Sequence, residues 1–252
     1  MLVKFSVCID ALYSGQDFYD SLKSVKAVGM DTIEFWSWWD GKNLEKIKTL
    51  CDELDLKIVT FCTKLISMTD AKVREDYIVG LKQSIDAAKT MGAAMIISQV
   101  GQDTNKLRVQ QHQNIVDCLK KCVSILESEN ITLVIEPLNT VVDHIGYYLW
   151  SSDEAFEIVE EVNSPNVKVL YDIYHQQIME GNLITRIRKN IHRIGHFHAA
   201  GNPGRHELDI GEINYPEIFK AIDETGYTGY VGLEYFTIYN VEDGLNKLKS
   251  MV

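Results

Sequence analysis

The stretch ITLVIEP, residues 131–137, runs five β-branched or apolar residues straight into a glutamate and a proline. So short a run, apolar on both faces, suits a strand buried inside a parallel sheet. Seven more runs of the same kind lie along the chain: KFSVCID (4–10), DTIEFW (31–36), KIVTFCT (57–63), AAMIISQV (93–100), VKVLYDI (167–173), IGHFHAA (194–200) and YVGLEYF (230–236). Between them stand segments such as NLEKIKTLCDEL, DYIVGLKQSIDAAKTMG, VQQHQNIVDCLKKCVSILESE, SSDEAFEIVEEV and YPEIFKAIDETG, whose apolar residues recur every three to four positions. That is helical spacing. Ser152, followed by Asp153 and Glu154, reads as a helix cap with an acidic first turn, and Gly29, Gly92 and Gly226 each close a helix. Eight strand–helix units in 252 residues, with no Pro/Ser-rich linker, predict an α/β fold: a single (β/α)8 TIM barrel, one domain over 1–252. The alternative is a doubly wound open sheet, but neither GxGxxG nor GxxxxGK[ST] follows the first strand.

In such a barrel the chemistry sits where strands end and βα loops begin. Those ends read, in order, Asp10, Glu34, Lys64, Gln99, Glu136, Asp172, His198 and Glu234. All but Gln99 can ionise, and an ionisable group on a strand enclosed by helices carries a desolvation cost that only pairing, hydrogen bonding or a metal offsets. Any one of them alone is better explained as a cap or an ion-pair partner. Glu136, Asp172, His198 and Glu234, however, fall on four consecutive strands and can converge on one point. Three carboxylates and one imidazole are mostly hard oxygen donors, which favour Mn²⁺, Mg²⁺ or Co²⁺ over zinc.

Around these four, His175 follows Asp172 by three residues and is placed to bond a substrate hydroxyl, or else to support a ligand from behind. Arg205 and Glu207 lie in the Gly/Pro-rich loop after the seventh strand; the arginine suits a carboxylate, and its plain alternative is an ion pair with Glu207. Trp36, Trp38 and Trp39 follow the second strand and can wall a small polar substrate. Trp36, with Lys64 at the third strand end, joins His175, Arg205 and Glu207 as the expected substrate-binding set. His196 precedes His198 by two residues, and alternation alone leaves open whether it points away or shares the same face one layer deeper.

Twenty-five basic against 36 acidic residues give a net charge of −11, which repels nucleic-acid backbones and anionic membranes. The start, MLVKFSVCID, has no secretory pattern, and no run of about 18 apolar residues occurs. A soluble, cytoplasmic protein acting on a small molecule is expected. Five cysteines without a CxxC pair read as free buried thiols, Cys118 and Cys122 sharing one helix face.

These motifs, in this order, resemble the xylose-isomerase-like superfamily of (β/α)8 sugar isomerases and epimerases, most closely its hydroxypyruvate isomerase branch. The likeness spans nearly the whole chain and is densest in NSPNVKVLYDIYHQQIMEGNL and GNPGRHELDIGEINYPEIFKAIDETGYTGYVGLEY. It implies that Glu136, Asp172, His198 and Glu234 hold a divalent metal, that Glu136 and Glu234 double as the acid/base pair, and that His175 and Arg205 contact substrate. One departure stands out: that branch usually carries glutamine where this chain has His198, a residue shared with ketose 3-epimerases. The implied activity is a metal-dependent isomerase working through an enediolate, hydroxypyruvate to tartronate semialdehyde being the leading case. A ketose 3-epimerase is the alternative, and a non-catalytic ligand-binding barrel a distant one. A zinc-dependent DNA-repair endonuclease needs more strand-end histidines and a basic face. Barrels of this kind often dimerise, so a homo-oligomer is also expected.

Overall fold

The computed structural model describes residues 3–248 and 251; the outermost ends of the expected 1–252 domain lie outside the described residues. Eight strands form: β1 (Lys4–Cys8), β2 (Thr32–Phe35), β3 (Lys57–Phe61), β4 (Met95–Ser98), β5 (Thr132–Ile135), β6 (Val167–Asp172), β7 (Ile194–Ala199) and β8 (Tyr230–Leu233). All pair in parallel in the order β3-β2-β1-β8-β7-β6-β5-β4. The ring closes between β3 and β4, where Cys62 bridges Ile97 and the Thr63 N–H donates to the Ile97 carbonyl at 2.7 Å. This is a (β/α)8 TIM barrel.

The outer layer comprises α1 (Ile9–Leu12), α2 (Phe18–Ala27), α3 (Leu44–Glu53), α4 (Arg74–Met91), α5 (Arg108–Glu129), α6 (Ser152–Val162), α7 (Ile173–Met179), α8 (Leu183–Asn190), α9 (Tyr215–Glu224) and α10 (Val241–Leu248). Their apolar stripes pack on the sheet, burying Leu22, Ile47, Leu81, Ile115, Leu119, Ile158 and Ile222. Cys118 and Cys122 lie in that layer, and all five cysteines are free and buried. Helix ends follow the sequence signals closely. Asp17, Asn43 and Asn214 cap α2, α3 and α9 with side-chain oxygens, and Gly92 ends α4 in the left-handed region at φ 73°. None of the helices among the described residues is long and apolar enough to cross a membrane.

Two local readings change. Asp10 does not end β1; it sits in α1, where its carboxylate accepts the Trp36 backbone N–H at 2.6 Å. The cap of α6 is Ser151, not Ser152: the Ser151 hydroxyl accepts from the Glu154 N–H, while the Ser152 hydroxyl is buried and donates to Glu180 Oε2 at 2.5 Å.

The barrel interior divides into two halves. Toward β3–β6 it is filled by Cys62, Ile97, Val134 and Leu170, a buried apolar cluster. Toward β1, β2, β7 and β8 it holds Ser6, Glu34, His196 and His198, all buried and polar. Polar groups buried there must satisfy one another.

Ser151→Ala removes one of the orphan-donor partners at the start of α6 and should lower the unfolding free energy by about 1 kcal/mol, measured by urea titration.

Candidate metal and active site

Glu136 and Glu234 stand just past the ends of β5 and β8, Asp172 is the last residue of β6, and His198 lies in β7 paired directly with Asp172. Strand geometry thus carries all four to one end of the barrel. Each offers a ligand atom within 4.8 Å of the others, and all four residues are buried. His198 Nδ1 lies 3.3 Å from Glu136 Oε1 and 3.2 Å from Glu234 Oε2.

Neither Glu136 Oε1 nor His198 Nδ1 has a hydrogen-bond partner of good geometry. Three buried carboxylates sharing one point are matched by the Arg205 guanidinium and the imidazole. Orphaned donor atoms in a hard-oxygen set with surplus negative charge are what a divalent cation satisfies, so the residues fit a metal ion. Glu136, Asp172, His198 and Glu234 would hold it.

The electrostatics follow from the same crowding. Burial raises the Glu136 and Asp172 carboxyls, each also pushed up by the charge on Glu234. Burial works the same way on Glu234, but Arg205, His198 and the Trp36 indole N–H outweigh it and hold that carboxyl well below the usual range. The Trp36 Nε1 donates to Glu234 Oε1 at 2.6 Å, and Arg205 Nη2 donates to Glu234 Oε2.

Above the cluster opens a cavity of about 920 Å³, with Glu136, His198, Glu234 and Arg205 on its floor and Trp36 and Trp39 on its wall. Trp38 packs edge-on against Trp39 instead. Arg205 itself sits at φ 56°, a conformation that costs an ordinary residue roughly 1–2 kcal/mol. Its carbonyl accepts the Phe236 N–H at 2.8 Å, which holds it there.

His175 is buried beside Asp172, its backbone N–H donating to Asp172 Oδ1 at 3.0 Å. Burial, and then Arg205, push its imidazole well below the ordinary range, so the ring is neutral. Asn139, which sequence reading missed, fixes its tautomer. The Asn139 side-chain oxygen accepts the N–H groups of Val142 and Asp143 at 3.0 Å, so the amide nitrogen faces the ring, 2.6 Å from Nδ1, and also donates to Asp143 Oδ2 at 2.6 Å. Nδ1 therefore accepts and the ring proton sits on Nε2, which lies 3.5 Å from Asp172 Oδ2 without a hydrogen bond of good geometry. The signal available in the sequence was an amide three residues after Glu136 in EPLN.

Three expected substrate residues are absent from the cavity lining: His175, wholly buried beside Asp172, together with Lys64 and Glu207. Lys64 turns its amine to Gln83 Oε1 at 2.6 Å and stacks over Trp38, outside the cavity lining. Glu207 is buried with its carboxylate spent on the loop after β8: it accepts from the Thr237 hydroxyl and from the N–H groups of Ile238 and Tyr239 at 3.0 and 2.9 Å. It pairs with that loop rather than with Arg205. His196 shares the inward face of β7, one layer below His198, their rings edge to face at 5.2 Å.

A parallel eight-stranded barrel, with four converging residues that could hold a metal ion under an aromatic-walled cavity, is the architecture of a class of barrel proteins to which the isomerases below belong. The family described as "Xylose isomerase-like TIM barrel" matches residues 22–251, and the chain belongs to it. Hydroxypyruvate isomerase of Escherichia coli (strain K12) is 29% identical over 253 residues, covering 97% of each chain. The 2-oxo-tetronate isomerase of Pectobacterium atrosepticum is 30% identical over 258 residues, covering 96% of this chain and 95% of its own. A solved structure described as AP endonuclease, family 2, from Brucella melitensis superposes with a TM-score of 0.94 at 25% identity over 99% of both chains.

Glu207 tests the division between site and support. Burial raises its carboxyl, but hydrogen bonds from Thr237, Tyr239 and Ile238 more than offset this and leave it below its unfolded value. A depressed carboxyl stabilises the fold above its unfolded pKa, about 4.3, and that contribution is lost as pH falls through the folded value. Glu207→Gln should therefore be less stable than the parent at pH 7, with the gap in melting temperature closing as pH falls below about 4.

Proposed function

We propose that this protein is a divalent-metal-dependent isomerase of a short hydroxy-carbonyl acid, with hydroxypyruvate to tartronate semialdehyde as the leading reaction. The observation that carries the reading is the pair Glu136 and Glu234, whose carboxylates flank one imidazole nitrogen on the floor of a cavity that also holds a guanidinium. The names of the E. coli and P. atrosepticum relatives, both isomerases of oxo acids, support it.

The carbon beside a carbonyl is a weak acid, so deprotonation needs a placed base and stabilisation of the enediolate that forms. A bound Mn²⁺, Mg²⁺ or Co²⁺ would supply Lewis acidity toward the carbonyl and neighbouring hydroxyl oxygens. One of the two glutamates takes the proton from carbon, the same or the opposite one delivers it to the adjacent carbon, and the hydroxyl proton passes to the former carbonyl oxygen. His175 orients Asp172, its backbone N–H on one carboxylate oxygen and its Nε2 3.5 Å from the other. Arg205 directs Nε and Nη2 at Glu234 and brings its guanidinium to the substrate carboxylate. Trp36 and Trp39 exclude water from the reacting carbons.

A ketose 3-epimerase is the second reading, favoured by histidine at position 198. The same proposal places the enzyme in the cytoplasm, with a small molecule as partner and neither nucleic acid nor membrane. A homo-oligomer is supported by the exposed Val141, Val142 and Ile145 on the loop after β5.

The test is product analysis with metal-loaded enzyme on hydroxypyruvate, a 2-oxo-tetronate and free ketohexoses. Turnover of the acids, abolished by chelation and restored by Mn²⁺, is expected; turnover of ketohexoses alone would replace this reading with the epimerase. Glu136→Gln and Glu234→Gln should each lose turnover while keeping the parent circular-dichroism spectrum, and near-parental rates would remove the assigned role. Asn139→Ala should lower kcat/KM about tenfold, the scale of one buried hydrogen bond, because His175 loses its fixed tautomer.

A further inference from the structure

One buried acid in the barrel interior is left over by the chemistry above. Glu34, in β2, has both oxygens inside the barrel. Its Oε2 accepts the Ser6 hydroxyl at 2.6 Å and stands 2.9 Å from His196 Nε2. Its Oε1 stands 2.8 Å from His198 Nε2, and neither of those two atoms makes a hydrogen bond of good geometry to any group. Buried polar atoms do not stay unpaired without cost, and at 2.8 Å each is the nearest group able to complete the other after a small rotation of the ring.

The neighbouring strand is cut to fit this contact. Gly232, in β8, pairs with both Ser6 and His198 across the sheet, at the height of the Glu34 carboxylate. A Cβ at that position would lie 2.3 Å from Glu34 Oε1 and 2.6 Å from His198 Cδ2. Any side chain there would part the two groups. The pairing of β2 with β3 also shifts register between Ile33 and Glu34, a local irregularity at the residue concerned.

We propose that Glu34 is a positioning residue for the metal site: by accepting the Nε2–H of His198 it fixes that ring in the tautomer and orientation that leave the Nδ1 lone pair among Glu136, Asp172 and Glu234. An imidazole offers a metal one nitrogen at a time, and a carboxylate on the far nitrogen both selects which one and strengthens it as a donor. Ser6 and His196 hold the opposite oxygen of Glu34, so the carboxylate cannot turn away. The inference rests on the metal-binding reading of the four-residue cluster.

The experiment measures Mn²⁺ binding by titration calorimetry on the parent, Glu34→Gln and Gly232→Ala, with melting temperatures alongside. The His198 tautomer is read by ¹⁵N NMR of histidine-labelled, Mg²⁺-loaded protein. The parent should bind Mn²⁺ and show a single tautomer protonated at Nε2. Glu34→Gln should weaken Mn²⁺ binding about 10- to 100-fold and mix the tautomers, an effect that a merely structural acid would not produce in a folded variant. Gly232→Ala should weaken binding in the same direction with Glu34 intact. If Glu34→Gln does not fold, Ser6→Ala, which loosens the carboxylate without removing it, takes its place and should weaken binding severalfold. Parental affinity and a single Nε2–H tautomer in the folded variant overturn the role of Glu34 and leave the metal site standing. A parent that binds no Mn²⁺ overturns the metal reading, and this inference with it.

Discussion

The mutual repulsion of Glu136, Asp172 and Glu234 around the His198 imidazole is the constraint that the rest of this structure answers. Taking one carboxylate out of water costs several kcal/mol even after relaxation, and here three are buried within reach of one nitrogen. Apolar packing cannot offset that. The compensation is built from specific neighbours: Arg205 and the Trp36 indole on Glu234, the His175 backbone N–H on Asp172, and His198 itself between Glu136 and Glu234. What remains uncompensated, the free Glu136 oxygen and His198 nitrogen, faces the place where a cation fits.

The polar half of the barrel interior follows from that demand. A barrel filled throughout by Val, Ile and Leu would pack well, as the Cys62, Ile97, Val134 and Leu170 side of this one does. Below His198, though, an apolar layer would leave Nε2 without an acceptor. Glu34 meets it, and a second buried charge then calls for Ser6 and His196. One imidazole thereby dictates residue types on β1, β2, β7 and β8, including a glycine whose value lies wholly in the side chain it lacks.

How much of this is legible in one sequence depends on the distance over which each role is decided. The strands show themselves because apolar runs such as ITLVIEP carry their own period, and the four cluster residues show themselves because acids and a histidine at such ends are expensive. Ser151 and Ser152 cannot be told apart locally: both hydroxyls donate to Glu180, 29 and 28 residues on, and only the Ser151 oxygen also accepts the Glu154 N–H. Asn139 acquires its role from His175, 36 residues away. Lys64 is drawn off by Gln83 on α4, and Glu207, two positions from Arg205, is drawn off by residues 237–239. Strand-end position predicts which backbone faces the site; it does not predict which long side chain finds a nearer partner.

That diversion of Glu207 bears on catalysis all the same. Its carboxylate ties the loop after β7 to the loop after β8, and the Phe236 N–H ties the same two loops at the Arg205 carbonyl. Arg205 can hold its left-handed backbone because both sides of it are fastened: Gly201 and His206 bridge on one side, Phe236 on the other. On a second side of the cavity, Asp143 receives both the Asn139 amide and the Tyr174 hydroxyl, and the Tyr174 ring lies under the Arg205 guanidinium. The same acid therefore braces the histidine and the arginine. Under the proposed function, a substrate entering this cavity meets a guanidinium whose position is already fixed relative to the glutamates, so the ordering cost is met in folding rather than at the moment of proton transfer.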